Sequence, residues 1–281
     1  MEERFIDRES IISFQDYLVK EEKRTATIEK YVRDVTAFID FVGKEPITKE
    51  TVISYKQHLL DKQYATRSVN SMLASVNSLL AYLGWADLKV KSLKVQQQLF
   101  CPDEKELTKA EYERLCRTAL EKQNERLYLI LQTICSTGIR VSELVFITAE
   151  AVRSGKAIIS LKGKMRSVFL PKDLQKKLLR YMREQNIREG PVFVGRQGRP
   201  VSRFHIWREM KGLCEEAEVD PRKVFPHNLR HLFARIFYSL EKDIAKLSDV
   251  LGHSNINTTR IYIASSGAEH RKCLERMHLV I

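Results

Sequence analysis

Between His227 and Tyr262 the chain reads HNLRHLFARIFYSLEKDIAKLSDVLGHSNINTTRIY, gathering imidazoles, arginine and tyrosine into one short run. Such side chains can do chemistry together. Imidazole exchanges a proton near neutral pH, a guanidinium fork matches paired anionic oxygens, and a phenol becomes a nucleophile beside a base or a positive field. Leu229, Leu232, Phe233, Ile236, Phe237 and Leu240 recur at the spacing of one buried helical stripe. His227 and Arg230 stand three apart, neighbours on the helix surface and off that stripe. Asp243 is placed to cap a short helix with Ile244, Leu247 and Leu251 on its apolar face, and Gly252 to end it. His253 follows on the turn. Ser254, Asn255 and Asn257 can each cap a further short helix that carries Tyr262.

Two upstream pieces join this run. In TGIRVSEL, Arg140 follows a strongly apolar helix containing Leu127, Leu129, Ile130, Leu131 and Ile134. Ala157 to Leu161 and Ser167 to Leu170 are β-branched and apolar, and they flank a turn with Lys162, Gly163 and Lys164, a hairpin pattern. Together, H-x-L-R-H, then L-G-H-S-x-x-x-T-T-x-x-Y, with Arg140 upstream, resemble the signature of the tyrosine recombinases, the phage-integrase family. The resemblance runs directly from about Leu107 to the C-terminus and covers the first hundred residues in layout only.

What the resemblance implies is a transesterification at a DNA phosphodiester. Arg140 and Arg230 would hold the two non-bridging oxygens, which planar guanidinium forks fit better than an ammonium does. Tyr262 would be the nucleophile; a free phenol, of pKa about 10, is mostly protonated at neutral pH and needs help. His227 is the acid/base partner and His253 a hydrogen-bond donor to phosphate. A hairpin lysine would protonate the leaving 5′ oxygen; Lys162 fits best, with Lys164 the alternative. Glu143 would brace Arg140, and His231, the second histidine of H-x-L-R-H, would serve in support. No cofactor and no metal are implied. His227 and His231 stand four apart, as in H-E-x-x-H zinc sites, but Asn228 replaces the glutamate and Arg230 between them would repel a cation.

The charge balance points the same way. Lys and Arg number 48 against 36 acidic residues, a formal net charge of +12. Residues 1–100 carry 15 basic and 14 acidic side chains, whereas residues 101–281 carry 33 and 22. The excess therefore sits with the motifs, as a polyanion-binding surface requires. Cys101, Cys116, Cys135, Cys214 and Cys273 form no C-x-x-C pair and are odd in number, which reads as reduced structural thiols. No apolar run reaches membrane-spanning length and no signal peptide opens the chain. A soluble, cytoplasmic, bacterial, nucleoid-associated protein is expected, with no membrane partner.

The elements that must position these residues are mainly helical, with a small antiparallel β-hairpin in the catalytic domain. Residues 1–88 read as four amphipathic helices with short turns, the second and third capped at Thr25 and Thr48 and the fourth beginning at Thr66 or Ser68. By resemblance this is a SAM-like core-binding domain that clamps DNA. Residues 89–106 lose periodicity and read as a linker; residues 107–281 form the catalytic domain, with helices at 172–188 and 202–218 and a short strand or turn at Pro191 to Phe193.

The expected activity is site-specific recombination through a 3′-phosphotyrosyl intermediate, in integration, excision or resolution. The expected partners are double-stranded DNA carrying specific sites, a homotetramer on that DNA, and accessory proteins. The helix at 268–280 would be exchanged between subunits. Two other readings stand beside this one. A type IB topoisomerase-like activity uses similar residues. A non-catalytic helix-turn-helix regulator would explain IAKLSDVLGHSNINTTRIY, with Thr258, Thr259 and Arg260 reading bases, but not Arg140 or the lysine hairpin.

Overall fold

The computed structural model describes residues 3–94, 106–161, 164–195, 197–253, 255–262 and 276. The chain divides into two compact units, Met1–Gln97 and Gln98–Ile281.

The first unit is built from α1 (Arg8–Lys20), α2 (Thr25–Val42), α3 (Lys49–Asp61) and α4 (Thr66–Tyr82). Thr48 and Thr51 close the N-terminus of α3 reciprocally, each hydroxyl accepting the other's backbone N–H at 3.2 Å. Thr25, the expected cap of α2, is instead its first helical residue, and Arg24 occupies the cap in extended backbone. Phe38, Val52, Tyr55, Leu59, Leu73 and Val76 form one buried cluster of the bundle, and Phe14, Leu18, Val35 and Leu79 form a second. Residues 89–94, read from sequence as linker, dock on this bundle. Asn77 grips both backbone groups of Val90 at 2.9 and 3.0 Å, and Asn70 does the same to Leu93 at 2.9 and 2.7 Å.

In the second unit α5 (Lys109–Glu121) starts at a Thr108–Glu111 capping box, and α6 (Glu125–Thr137) runs through the core with Leu127, Leu129, Ile130, Leu131 and Ile134 all buried. A 3₁₀ turn (Val141–Phe146) and α7 (Ala149–Ser154) lead to β1 (Lys156–Leu161) and β2 (Lys164–Phe169). The strands pair antiparallel from Lys156↔Phe169 to Leu161↔Lys164. That register makes Lys164 the first residue of β2. Lys162 lies outside the described residues.

α8 (Lys172–Glu184) and α9 (Arg203–Lys211) stop short of the expected ends. Asn186 turns left-handed after α8, and Gly212 caps α9. Around Pro191 the backbone makes isolated bridges, Thr148↔Pro191 and Val194↔Pro200, rather than a strand.

The unit ends with α10 (Pro226–Glu241), α11 (Ile244–Leu251) and α12 (Ile256–Arg260). α10 packs on α6 and α11. Leu229 and Leu232 join the main core, while Phe233 and Phe237 pack with Ala234, Leu247, Leu251 and Tyr262 in a smaller cluster. Ile236 and Leu240 are exposed, so the apolar stripe runs past the core it serves. Among the described residues no helix is long and apolar enough to cross a membrane. The segment at 268–280, expected as an exchanged helix, lies outside the described residues apart from Arg276.

Candidate active site

Two helix ends and one helix start meet here. α6 closes on Gly138 in the left-handed conformation (φ +66°), a position where a Cβ would run into the Phe233 ring. The chain then turns through buried Ile139 to Arg140. α11 closes the same way on Gly252 (φ +65°), and His253 follows. Between them α10 starts with Pro226 at its first helical position, which places His227 in its first turn and Arg230 at the start of its second.

Arg230 is the centre of the arrangement. Sequence spacing puts it off the apolar stripe, yet only 1% of it is exposed. Its Nη1 donates to the Gly138 carbonyl at 2.5 Å and its Nη2 to the Leu251 carbonyl at 2.8 Å. The same Nη2 lies 2.9 Å from His253 Nε2. Its Nε–H is buried without a protein partner. Burial first, and then the neighbouring charge of Arg140, push its pKa down to about 10, which leaves it charged at neutral pH.

A guanidinium can only donate, so His253 Nε2 is an acceptor and its proton sits on Nδ1, 2.8 Å from Thr259 Oγ1. His253 Nε2 is thus engaged by Arg230. Burial, then Arg230, Arg140 and Arg166, bring the His253 pKa down to about 4.

Tyr262 lies just beyond α12 and is 6% exposed. Its hydroxyl is 3.5 Å from His227 Nε2, a long contact, and Arg230 lies 5.9 Å over its ring. His231 stacks on that ring at 4.1 Å and 26°, so it supports the phenol through its face. The His227 pKa is lowered, by burial first and then by Arg230 and Arg140, and burial beside His227 takes His231 down to about 3. All three imidazoles are therefore neutral at neutral pH, and His227 is able to accept a proton.

Arg140 is the exposed member, with 42% of its side chain open. Buried Glu143 holds it: Oε1 accepts from Arg140 Nη1 at 2.9 Å and Oε2 from the Arg140 backbone N–H at 2.7 Å. Glu143 Oε2 also accepts from Arg166 Nη2 at 2.8 Å. Arg140, His227 and Arg230 line a cleft of about 440 Å³ together with Arg203, Phe204 and Trp207 of α9. Among the described residues no three His, Cys, Asp or Glu side chains converge to hold a metal ion.

The structure thus brings together Arg140, Glu143, His227, Arg230, His231, His253 and Tyr262. Sequence reasoning missed Arg166 and the role of Thr259. Alternation along β2 was the available signal, since Arg166 and Val168 share one face and Val168 is buried.

A model of the phage integrase family matches residues 105–269, and a model of the phage integrase N-terminal SAM-like domain matches residues 11–87. The chain belongs to the phage integrase family. It is a tyrosine recombinase, one of the enzymes that break and rejoin DNA in site-specific recombination. The tyrosine recombinase XerD of Oceanobacillus iheyensis is 26% identical over 284 residues, covering 97% of this chain and 82% of that one. The recombinase spans about half the length of three further XerD relatives that it matches. Among solved structures, the XerH site-specific recombinase bound to difH in a pre-cleavage complex matches with a TM-score of 0.69 at 18% identity, over 88% of this chain and 78% of that one. A lambda integrase tetramer bound to a Holliday junction matches with a TM-score of 0.74 at 16% identity, over 90% of this chain and 76% of that one. At these identities the two structures speak for the fold.

Proposed function

We propose that this recombinase cleaves double-stranded DNA at specific sites through a covalent bond between Tyr262 and the 3′ phosphate. Arg140 and Arg230 hold the two non-bridging oxygens of the scissile phosphate, where charge builds up in the transition state. The Nε–H of Arg230, left without a protein partner, is a donor available to such an oxygen. His227 Nε2 takes the phenolic proton as Tyr262 Oη bonds to phosphorus. The bond from phosphorus to the 5′ oxygen breaks, and a hairpin lysine, Lys162 in preference to Lys164, protonates that oxygen. A 5′ hydroxyl from the partner duplex then attacks the phosphotyrosine and regenerates the phenol. One ester replaces another throughout, so bond energy is conserved. His253 steadies Arg230 before DNA arrives and, once its proton moves to Nε2, donates to phosphate.

The helical bundle of residues 1–88 clamps the duplex, the stretch 89–106, whose first residues dock on that bundle, leads to the catalytic residues 107–281, and strand exchange takes place in a homotetramer. Segment 268–280 is exchanged between subunits, accessory proteins select the outcome, and the enzyme works at the bacterial nucleoid. Structural neighbours solved bound to DNA, one of them as a tetramer, support the DNA partner and the assembly.

One observation carries the reading: the Tyr262 hydroxyl faces His227 Nε2 at 3.5 Å with the Arg230 guanidinium above the ring. To test it, the binding site is recovered with Tyr262→Phe by selection from random duplexes, then built into a nicked suicide substrate. The native protein should form a denaturant-stable adduct without ATP, and Tyr262→Phe should bind equally and form none. Recombination between paired sites then separates strand exchange from topoisomerase-like relaxation. Tight binding with no adduct would favour the regulator and refute the chemistry.

A further inference from the structure

We infer that Arg166 is a positioning residue that sets the two phosphate-holding arginines in place, and that Gly252 is glycine partly to let it through. The inference rests on the reading of Arg140 and Arg230 as the phosphate-holding pair.

Arg166 lies on β2 opposite Ile159, with its side chain directed into the second unit and only 14% exposed. Both ends of its fork are committed. Nη2 donates to Glu143 Oε2 at 2.8 Å, and that carboxylate holds Arg140 through its other oxygen. Nη1 donates to the Leu251 carbonyl at 2.5 Å, and that same carbonyl accepts from Arg230 Nη2 at 2.8 Å. A single guanidinium therefore shares one acceptor with each of the two site arginines.

The path of Arg166 is fitted to this task. A Cβ at residue 252 would meet Arg166 Nη1 and Cδ, closer than real atoms approach. Glycine at 252 thus answers two demands, the left-handed turn and the passage of this side chain. The shared carboxylate also sets how Arg140 is used. With Arg166 on one oxygen, Glu143 divides its charge between two cations. Without Arg166 it pairs with Arg140 alone and draws that guanidinium back from a phosphate. At Leu251, loss of Arg166 frees the turn that aims the carbonyl at Arg230.

The role predicts a defect in stabilising phosphate charge rather than in protonating the leaving group. Single-turnover cleavage is measured for the full chain, Arg166→Ala and Arg166→Lys on three nicked duplexes. One has a normal scissile phosphodiester, one a neutral methylphosphonate, and one a 5′-bridging phosphorothiolate whose sulfur leaves without a proton. Arg166→Ala should be slower by about 100-fold on the phosphodiester, within about 10-fold on the methylphosphonate, and not relieved by sulfur. Arg166→Lys, which keeps the charge but can reach only one acceptor at a time, should fall between, stay folded at the assay temperature and retain normal DNA affinity; it carries the test if the alanine variant fails to fold. Equal losses on all three substrates would mean a general structural role and overturn the inference, as would relief by sulfur, which would tie Arg166 to the hairpin lysine instead. Arg140→Ala is run alongside. If the methylphosphonate does not relieve its defect, the phosphate-holding reading itself fails, whatever Arg166 does.

Discussion

Replacing Glu143 by glutamine keeps its volume and removes its charge, which isolates what the carboxylate does between two guanidiniums. Three donors now point at its two oxygens: Arg140 Nη1, the Arg140 backbone N–H and Arg166 Nη2. A glutamine must turn its NH₂ toward at least one of them. The best rotamer keeps the amide oxygen on the two donors that share Oε2 and sets the NH₂ against Arg140 Nη1, so the Arg140 side chain swings away. Removing one partner from a buried ion pair costs roughly 3–5 kcal/mol. Arg140 is 42% exposed, so water recovers part of its share, and the expected loss is about 2–4 kcal/mol. For a unit of this size that lowers the melting temperature by roughly 5–15 °C. Removing an oxyanion donor costs about 100- to 1000-fold in rate, and Arg140 is displaced rather than removed, so cleavage should fall about 10- to 100-fold. Circular-dichroism melting and single-turnover adduct formation on a nicked duplex read the two effects. A melting temperature within about 2 °C of native and a cleavage rate within about threefold would refute the claim that Glu143 organises these arginines.

Further outcomes follow from the same geometry. His253 and His231 have folded-state pKa values near 4 and 3 against an ordinary 6.5, so the unfolded chain takes up protons first as pH falls. Stability should be level above pH 6.5 and drop below it toward pH 4, by at most about 1.4 kcal/mol per pH unit for each imidazole, less where water reaches it. Melting curves from pH 4 to 8 check this, and His231→Asn should flatten the slope. Gly138→Ala meets both a left-handed φ and the Phe233 ring, so it should cost about 2–4 kcal/mol and weaken cleavage. Gly155→Ala shares that left-handed conformation (φ +71°, ψ +10°) but meets only the end of the Gln175 side chain, so it should cost about 1–2 kcal/mol, a paired control in the same melting assay. Thr259→Val removes the partner of His253 Nδ1 at constant shape; adduct formation should slow about tenfold while DNA binding holds, and an unchanged rate would show that this bond does not set the tautomer.

The parts of the fold legible in sequence are those encoded by local spacing. The Thr108–Glu111 box, the Asp243 cap, the two closing glycines and the four-helix front unit each depend on residues a turn apart. Boundaries set by tertiary contact were not legible in this way. Residues 89–94 lack periodicity because they pack through backbone groups on Asn70 and Asn77, which no hydropathy pattern reports. Leu240 continues the apolar stripe of α10 and is 78% exposed, because helical spacing continues where the core stops. At the site, the motifs picked out Arg140, His227, Arg230, His253 and Tyr262, which lie together in the fold. They did not locate Arg166, whose partners are 23 residues upstream and 85 downstream.

Arg230 shows why a site can be complete in its motifs and still incomplete as physics. A cation at 1% exposure needs compensation, and a carboxylate beside it would neutralise the charge a phosphate requires. The chain stabilises it with the C-terminal ends of α6 and α11, whose Gly138 and Leu251 carbonyls accept from the two ends of its fork. Partial negative charge at a helix C-terminus favours a cation by about 0.3–2 kcal/mol without cancelling its charge. Both ends reach Arg230 only because each helix closes on a left-handed glycine that turns the chain sharply away. The carboxylate of Glu143 is instead engaged by Arg140 and Arg166. Dipoles therefore hold the buried arginine and a carboxylate holds the exposed one. That division leaves Arg230 charged and rigid, and it leaves Arg140, the arginine with room to move, as the one that can shift from Glu143 toward an arriving phosphate.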